Sequence, residues 1–131
     1  AYTETLKSWD LESNDDGEYK VYAKFRDAAG NISETVFDFV VVDTQAPTGA
    51  TVLLDKNNKY TIRQDRKVEV ELTIRDADSM MVSLEQSFAQ AKWELFKPFF
   101  AYSLPDQDGT YTFFAKFKDK AGNVSELASD Q

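Results

Sequence analysis

Residues 16–34 and 108–126 are two copies of one segment. Asp16-Gly17-Glu18-Tyr19 through Ser33-Glu34 aligns without a gap on Asp108-Gly109-Thr110-Tyr111 through Ser125-Glu126. The offset is 92, and 12 of the 19 aligned positions are identical. The likeness extends backwards, because Trp9 and Leu11 precede the first copy much as Tyr102 and Leu104 precede the second. A period of 92 is too long for a solenoid unit of about 20–45 residues. It suits a whole β-sandwich of about 100. A chain of 131 residues then holds one module and part of another. Val40-Val41-Val42 closes a strand, and the stretch from Asp43 to Gly49 reads as a linker stiffened by Pro47. The expected division is residues 1–43 as the C-terminal strands of a preceding module, 44–49 as linker and 50–131 as the module. The opening Ala1-Tyr2-Thr3, without Met or an export signal, reads as a segment of something longer.

Alternation of apolar and polar residues fills both parts. Val68, Val70, Leu72 and Ile74 alternate with Lys67, Glu69, Glu71 and Arg75, the pattern of a half-buried strand. Tyr111, Phe113, Ala115 and Phe117 do the same against Thr112, Phe114, Lys116 and Lys118, as do Tyr19, Val21, Ala23 and Phe25 in the first copy. Further strands are predicted at about 50–54, 80–85, 92–96 and 99–104, and a long one from Ile32 to Val42. A competing helix could cover Ser83–Phe96, where Leu84, Phe88, Ala91 and Leu95 fall near helical spacing.

Two motifs repeat. In Asp-Gly-x-Tyr, at Asp16–Tyr19 and Asp108–Tyr111, Asp and Gly supply a turn. The Tyr stands where the tyrosine corner of immunoglobulin-like domains would bond back to upstream backbone. Two residues further on, where antibody domains have Cys, this chain has Val21 and Phe113, so packing must replace a disulfide. The second motif, Asp-x-Ala-Gly-Asn-[Ile/Val]-Ser at Asp27–Ser33 and Asp119–Ser125, invites a calcium reading. An EF-hand loop needs oxygen ligands at positions 1, 3, 5 and 12, and Ala29 or Ala121 at position 3 breaks that pattern. A hairpin turn is the expected role: Asp caps free N–H groups, Gly takes the left-handed position and Asn begins the next strand. Asn31-Ile32-Ser33 and Asn123-Val124-Ser125 also fit glycosylation sequons.

Together with Lys-Phe-[Arg/Lys]-Asp and the Val-Asp-Thr-Gln-Ala-Pro-Thr linker, these motifs resemble the tandem Ig-like, fibronectin type III-like repeats of bacterial secreted and cell-surface proteins. The resemblance implies an all-β immunoglobulin-like β-sandwich, one full module preceded by the C-terminal half of another. It covers the second module and the half before it, and Asp78–Ala91 fits it least. Such repeats occur in adhesins, S-layer-associated proteins and multimodular hydrolases, so it implies an extracellular or surface location without choosing a ligand.

Composition narrows the function. Fifteen basic against 23 acidic residues give a net charge of −8, which repels phosphate backbones and anionic lipid. No apolar run approaches the ~18 residues of a membrane span. With no His and no Cys, Ser-His and Cys-His nucleophilic sites and the usual zinc sets cannot be built. The carboxylate pairs Asp15/Asp16, Asp76/Asp78 and Asp106/Asp108 fall at turns or strand ends, where Asp is expected anyway. The expectation is therefore no enzyme and no catalytic, cofactor-binding or metal residue set. Calcium held by Asp43, Asp76 and Asp78 at the module boundary is a minor alternative.

The leading function is a structural and adhesion repeat acting as spacer and interaction module. The alternative is a carbohydrate-binding accessory module of a secreted glycoside hydrolase, in which Trp93, Phe96, Phe99, Phe100, Tyr102, Tyr22 or Phe114 would stack on sugar rings. The partners expected are neighbouring Ig-like modules or another copy of the chain, with polysaccharide as the further candidate, and neither nucleic acid nor membrane insertion. Residues 1–43 present apolar strand faces at Tyr19, Val21, Ala23 and Phe25 and at Phe37, Phe39 and Val41. Left in water these would be an aggregation hazard, so strand complementation between chains is expected to cover them.

Overall fold

Alternating side chains become strands almost everywhere that the sequence alternates. The computed structural model describes residues 15–62 and 64–131, together with Ser8, Asp10, Leu11 and Ser13. Among them are nine strands and no α-helix: β1 (Gly17–Ala23), β2 (Val36–Val42), β3 (Thr48–Leu54), β4 (Lys67–Arg75), β5 (Ser79–Ser83), β6 (Glu94–Leu95), β7 (Phe99–Ser103), β8 (Phe113–Lys118) and β9 (Ala128–Asp130). The chain divides into two compact units between Thr44 and Gln45.

The second unit is a β-sandwich. One sheet has the order β3-β4-β7 and the other β6-β5-β8-β9, with every pairing antiparallel. Alternation aims Val68, Val70 and Leu72 of β4 into the space between the sheets, opposite Met80 of β5, Phe113, Ala115 and Phe117 of β8 and Ala128 of β9. All eight are buried, and Met80, Ala115 and Phe117 are fully so. Burying a side chain of the Val, Phe or Met size contributes about 1.5–3 kcal/mol, so these few residues supply much of what a disulfide-free module needs. Aromatic rings stitch the layers: Tyr102 and Phe100 of β7 meet Phe113 at centroid distances of 5.0 and 6.3 Å. Phe96 meets Phe117 edge-on at 6.0 Å.

The first unit is, among the described residues, a two-stranded antiparallel ribbon of β1 and β2, from Gly17↔Val42 to Ala23↔Val36. Tyr22, Phe37, Val41 and Phe39 are all more than half exposed, while Tyr19, Val21 and Ala23 are half-buried. Trp9, which the sequence aligned with the second copy, lies outside the described residues.

Several boundaries differ from the sequence expectation. The strand predicted from Ile32 begins at Val36. Ile32 forms only an isolated bridge to Arg26, because Ser33 turns its hydroxyl onto the Phe25 N–H and Glu34 carbonyl and interrupts the ladder. β3 starts at Thr48 rather than 50, and Pro47 just before it is buried. The strand expected over 92–96 shrinks to Glu94–Leu95, with the Phe96 N–H adding one more bond, to the carbonyl of Asp78 just before β5. The helix considered over Ser83–Phe96 does not form. Phe88 has φ of +54°, a left-handed conformation that a right-handed helix cannot hold. Single turns from Glu85 to Phe88 and from Phe88 to Ala91 drop the Phe88 ring into a buried site instead.

Candidate functional site

Both repeated motifs make corresponding hydrogen bonds in each copy, although Gly17 has φ of +154° and Gly109 has no positive φ. The Tyr19 hydroxyl donates to the Asp15 carbonyl at 2.6 Å, and the Tyr111 hydroxyl to the Gln107 carbonyl at 2.9 Å. Each bond reaches back four residues, the geometry of a tyrosine corner. In the second motif Asp119 Oδ1 accepts the N–H groups of Gly122 at 2.8 Å and Asn123 at 2.9 Å. Its Oδ2 accepts from Asn123 Nδ2 at 2.9 Å. Asp27 takes the Asn31 N–H at 2.9 Å and Asn31 Nδ2 at 2.8 Å. Gly122 and Gly30 sit at φ of +100° and +93°, where glycine avoids the Cβ penalty. The Asp and Gly roles expected of a turn are therefore the ones observed, but Asn31 and Asn123 begin no strand. Ile32 and Val124 after them form single bridges, and the Asn side chains turn back onto the Asp carboxylates instead.

These bonds also set the electrostatics. The Asn31 side-chain and backbone bonds hold the Asp27 carboxyl below its ordinary value. Burial pushes the Asp119 carboxyl up, but the Asn123 side chain and the N–H groups of the turn outweigh it and leave it low. A carboxylate with its lone pairs engaged by the loop's own donors is poorly placed to bind a cation. Among the described residues no three carboxylates gather as a metal-holding group. Asp76 takes φ of +64° in the turn after β4, and Asp78 Oδ2 accepts from the Ser79 hydroxyl at 3.3 Å.

Of the aromatic residues that could stack on sugars, most are otherwise engaged. Phe96, Phe100 and Tyr102 pack on the core, and Trp93 lies under Lys118 Nζ at 4.5 Å. Phe99 is 68% exposed, and Tyr22 leans on Phe37 at a centroid distance of 5.7 Å. The five clustered aromatics of residues 93–102 thus do not form one flat platform.

Sequence reasoning missed an open groove of about 670 Å³ at the pole of the second unit that carries Tyr111. Tyr60, Lys59 and Arg66 line it. Its cations are answered from within the unit: Lys59 Nζ meets Asp130 Oδ1 at 2.7 Å, and Arg66 reaches Asp108 at 3.0 Å and the Gln107 carbonyl at 3.1 Å. No local sequence signal marks this groove, because its walls come from residues 54 to 131.

A tyrosine corner, a turn with Asp as its cap and a seven-stranded sandwich without disulfide coincide with what a family comparison finds. The model described as bacterial Ig-like domain matches residues 54–131. The chain belongs to the bacterial Ig-like domain family. No curated protein matches it. Bacterial Ig-like domains are generally non-catalytic modules with structural or interaction roles, typically in extracellular or surface proteins. No helix among the described residues is long and apolar enough to cross a membrane. The match covers most of the second unit and includes Asp78–Ala91, the stretch that had fitted the resemblance least.

Proposed function

We propose that this chain is a non-catalytic structural segment of a larger extracellular or cell-surface protein. The second unit acts as a spacer, and the first as part of an adjoining Ig-like module. One observation carries the reading: the same hydrogen-bond skeleton recurs after 92 residues, from the tyrosine corner to the serine that closes the turn. Repetition of a scaffold without a reactive cluster is what a chain of spacers requires. The exit from the first unit is also held, since Asp16 Oδ1 accepts both the Thr44 N–H at 3.0 Å and its hydroxyl at 2.9 Å. The acidic surface, at net −8, favours solubility over adhesion to anionic polymers.

The test is binding of the full chain to a panel of insoluble polysaccharides, alongside small-angle scattering of one, two and three tandem copies of residues 45–131. A maximum dimension that grows in proportion to copy number, with no retention on polysaccharide, supports the spacer. Retention abolished by Phe99→Ala would replace it with the carbohydrate-binding alternative.

A further inference from the structure

Asp38 and Asp130 occupy the same position in the two copies. Each carboxylate turns onto the following amide: Phe39 N–H donates to Asp38 Oδ1 at 2.8 Å, and Gln131 N–H to Asp130 Oδ1 at 2.8 Å. In the second unit the rest of that carboxylate is used. Asp130 Oδ2 accepts the N–H of Leu54, the last residue of β3, at 3.0 Å, and Lys59 Nζ donates to Oδ1 at 2.7 Å. The aspartate thereby fastens the end of the module's first strand beside β9. Asp38 is exposed, and among the described residues its hydrogen bond is to Phe39 alone.

The apolar faces differ in the same sense. Phe117 is 0% exposed beneath the β3-β4-β7 sheet, and its counterpart Phe25 is 50% exposed. One edge of β8 carries β5, from Ser79↔Lys118 to Ser83↔Phe114. The equivalent edge of β1 has no strand on it among the described residues.

We propose that the β1–β2 ribbon receives the amino-terminal strands of a bacterial Ig-like module preceding it on the same polypeptide, with Asp38 as the positioning residue. Asp38 takes the last N–H of the incoming first strand and a lysine a few residues beyond it. This rests on the reading of residues 1–43 as part of an Ig-like module. Charge complementarity selects the occupant: a carboxylate with one amide already bound calls for a strand end with a free N–H and a nearby cation, the pair that Leu54 and Lys59 present to Asp130. Strands donated by a second copy are disfavoured. Its Val68, Val70, Leu72 and Met80 are at most 6% exposed in its own core, so giving them up would unfold that unit.

The experiment fuses a second copy of residues 45–92 ahead of Ala1 of the full chain, which preserves the 92-residue register. Amide exchange is then followed at Val21, Ala23 and Phe25, with the unextended chain as reference. The extension is expected to slow exchange there by about 100-fold or more, as folding into a module would. Asp38→Asn in the extended chain is expected to undo about tenfold or more of that gain, the scale of a hydrogen bond to a charged group. Lys59→Met in the added copy should act on the same pair, so the two changes together cost less than their sum. If the extension protects nothing in β1, both the half-module reading and the proposal fall. If it protects β1 but Asp38→Asn changes nothing, the Asp38 assignment falls and the half-module reading stands. A dimer of the unextended chain, with β1 protected at the interface, would make a second copy the occupant and overturn the proposal.

Discussion

The Ser125 hydroxyl accepts the Phe117 N–H at 3.0 Å, and the same hydroxyl donates to the Glu126 carbonyl at 2.8 Å. Ninety-two residues earlier Ser33 repeats both bonds, to the Phe25 N–H at 2.9 Å and the Glu34 carbonyl at 2.8 Å. Ser125 is 7% exposed and Ser33 is open to water. The local sequence thus makes the bond, and burial decides what its loss costs. Ser125→Ala should destabilise the second unit by about 1–3 kcal/mol, because a buried N–H loses its acceptor. Ser33→Ala should stay within about 0.5 kcal/mol. Urea unfolding of the two variants measures the difference, and equal losses would contradict it.

A second matched pair tests packing. Phe117→Ala should cost roughly 3–5 kcal/mol, the range for a large side chain removed from a closed core. Phe25→Ala, at a position 50% exposed, should cost less than about 1 kcal/mol in the chain as it stands. Thermal unfolding followed by tryptophan fluorescence and by circular dichroism compares them.

Glycine at the second turn answers to backbone geometry alone. A Cβ on Gly122 would meet nothing within 4 Å, yet φ is +100°. Gly122→Ala should therefore destabilise by roughly 1 kcal/mol or more through strain. Gly109 has the same open surroundings without a positive φ. Gly109→Ala should be neutral or gain up to about 1 kcal/mol from a stiffer unfolded chain. The denaturant midpoint of Gly122→Ala should fall, while that of Gly109→Ala should hold or rise.

Acid should weaken the second unit through Asp130 and Asp119. Burial pushes the Asp130 carboxyl up, but the bonds from Lys59, Leu54 and Gln131 bring it below its ordinary 3.8. A folded-state value below the unfolded one means that the unfolded chain takes up protons first as pH falls. The contribution is whole above 3.8 and is lost as pH drops through the lower folded values. Stability is thus expected to be flat with respect to these two groups from neutral pH to about 5 and to fall steeply below that ordinary value. Asp130→Asn should start lower at neutral pH and lose less on acidification. A pH series of melting temperatures for both proteins checks this, and parallel curves would remove Asp130 as a contributor.

What could be read in the sequence was whatever is decided within a few residues. Tyr111, Asp119 and Gly122 do what their spacing implies because each partner lies three or four positions away. Strand faces were legible as well, since alternation at Val68–Ile74 needs only the pleat. The hairpin start at Val36 was hidden because Ser33 competes for the Phe25 amide, a cross-strand event. The turn around Phe88 was hidden for a related reason: helical spacing from Leu84 to Leu95 is apparent in the letters, while the pull of a buried ring site is not. The groove beside Tyr60 and the Asp130 fastening join residues 71 or more apart at Leu54 and Lys59, a distance over which no local pattern speaks.

The Asp130 contact has a mechanical side. β3 and β9 both run toward the pole where Leu54 meets Asp130, so they lie side by side pointing the same way. The two strands belong to different sheets, so tension applied through the two ends of the second unit would fall on the Asp130 side chain where it holds the Leu54 amide. Asp130 at the end of β9, joined by Lys59 from the loop beyond β3, therefore makes a latch between the first and last strands of the unit.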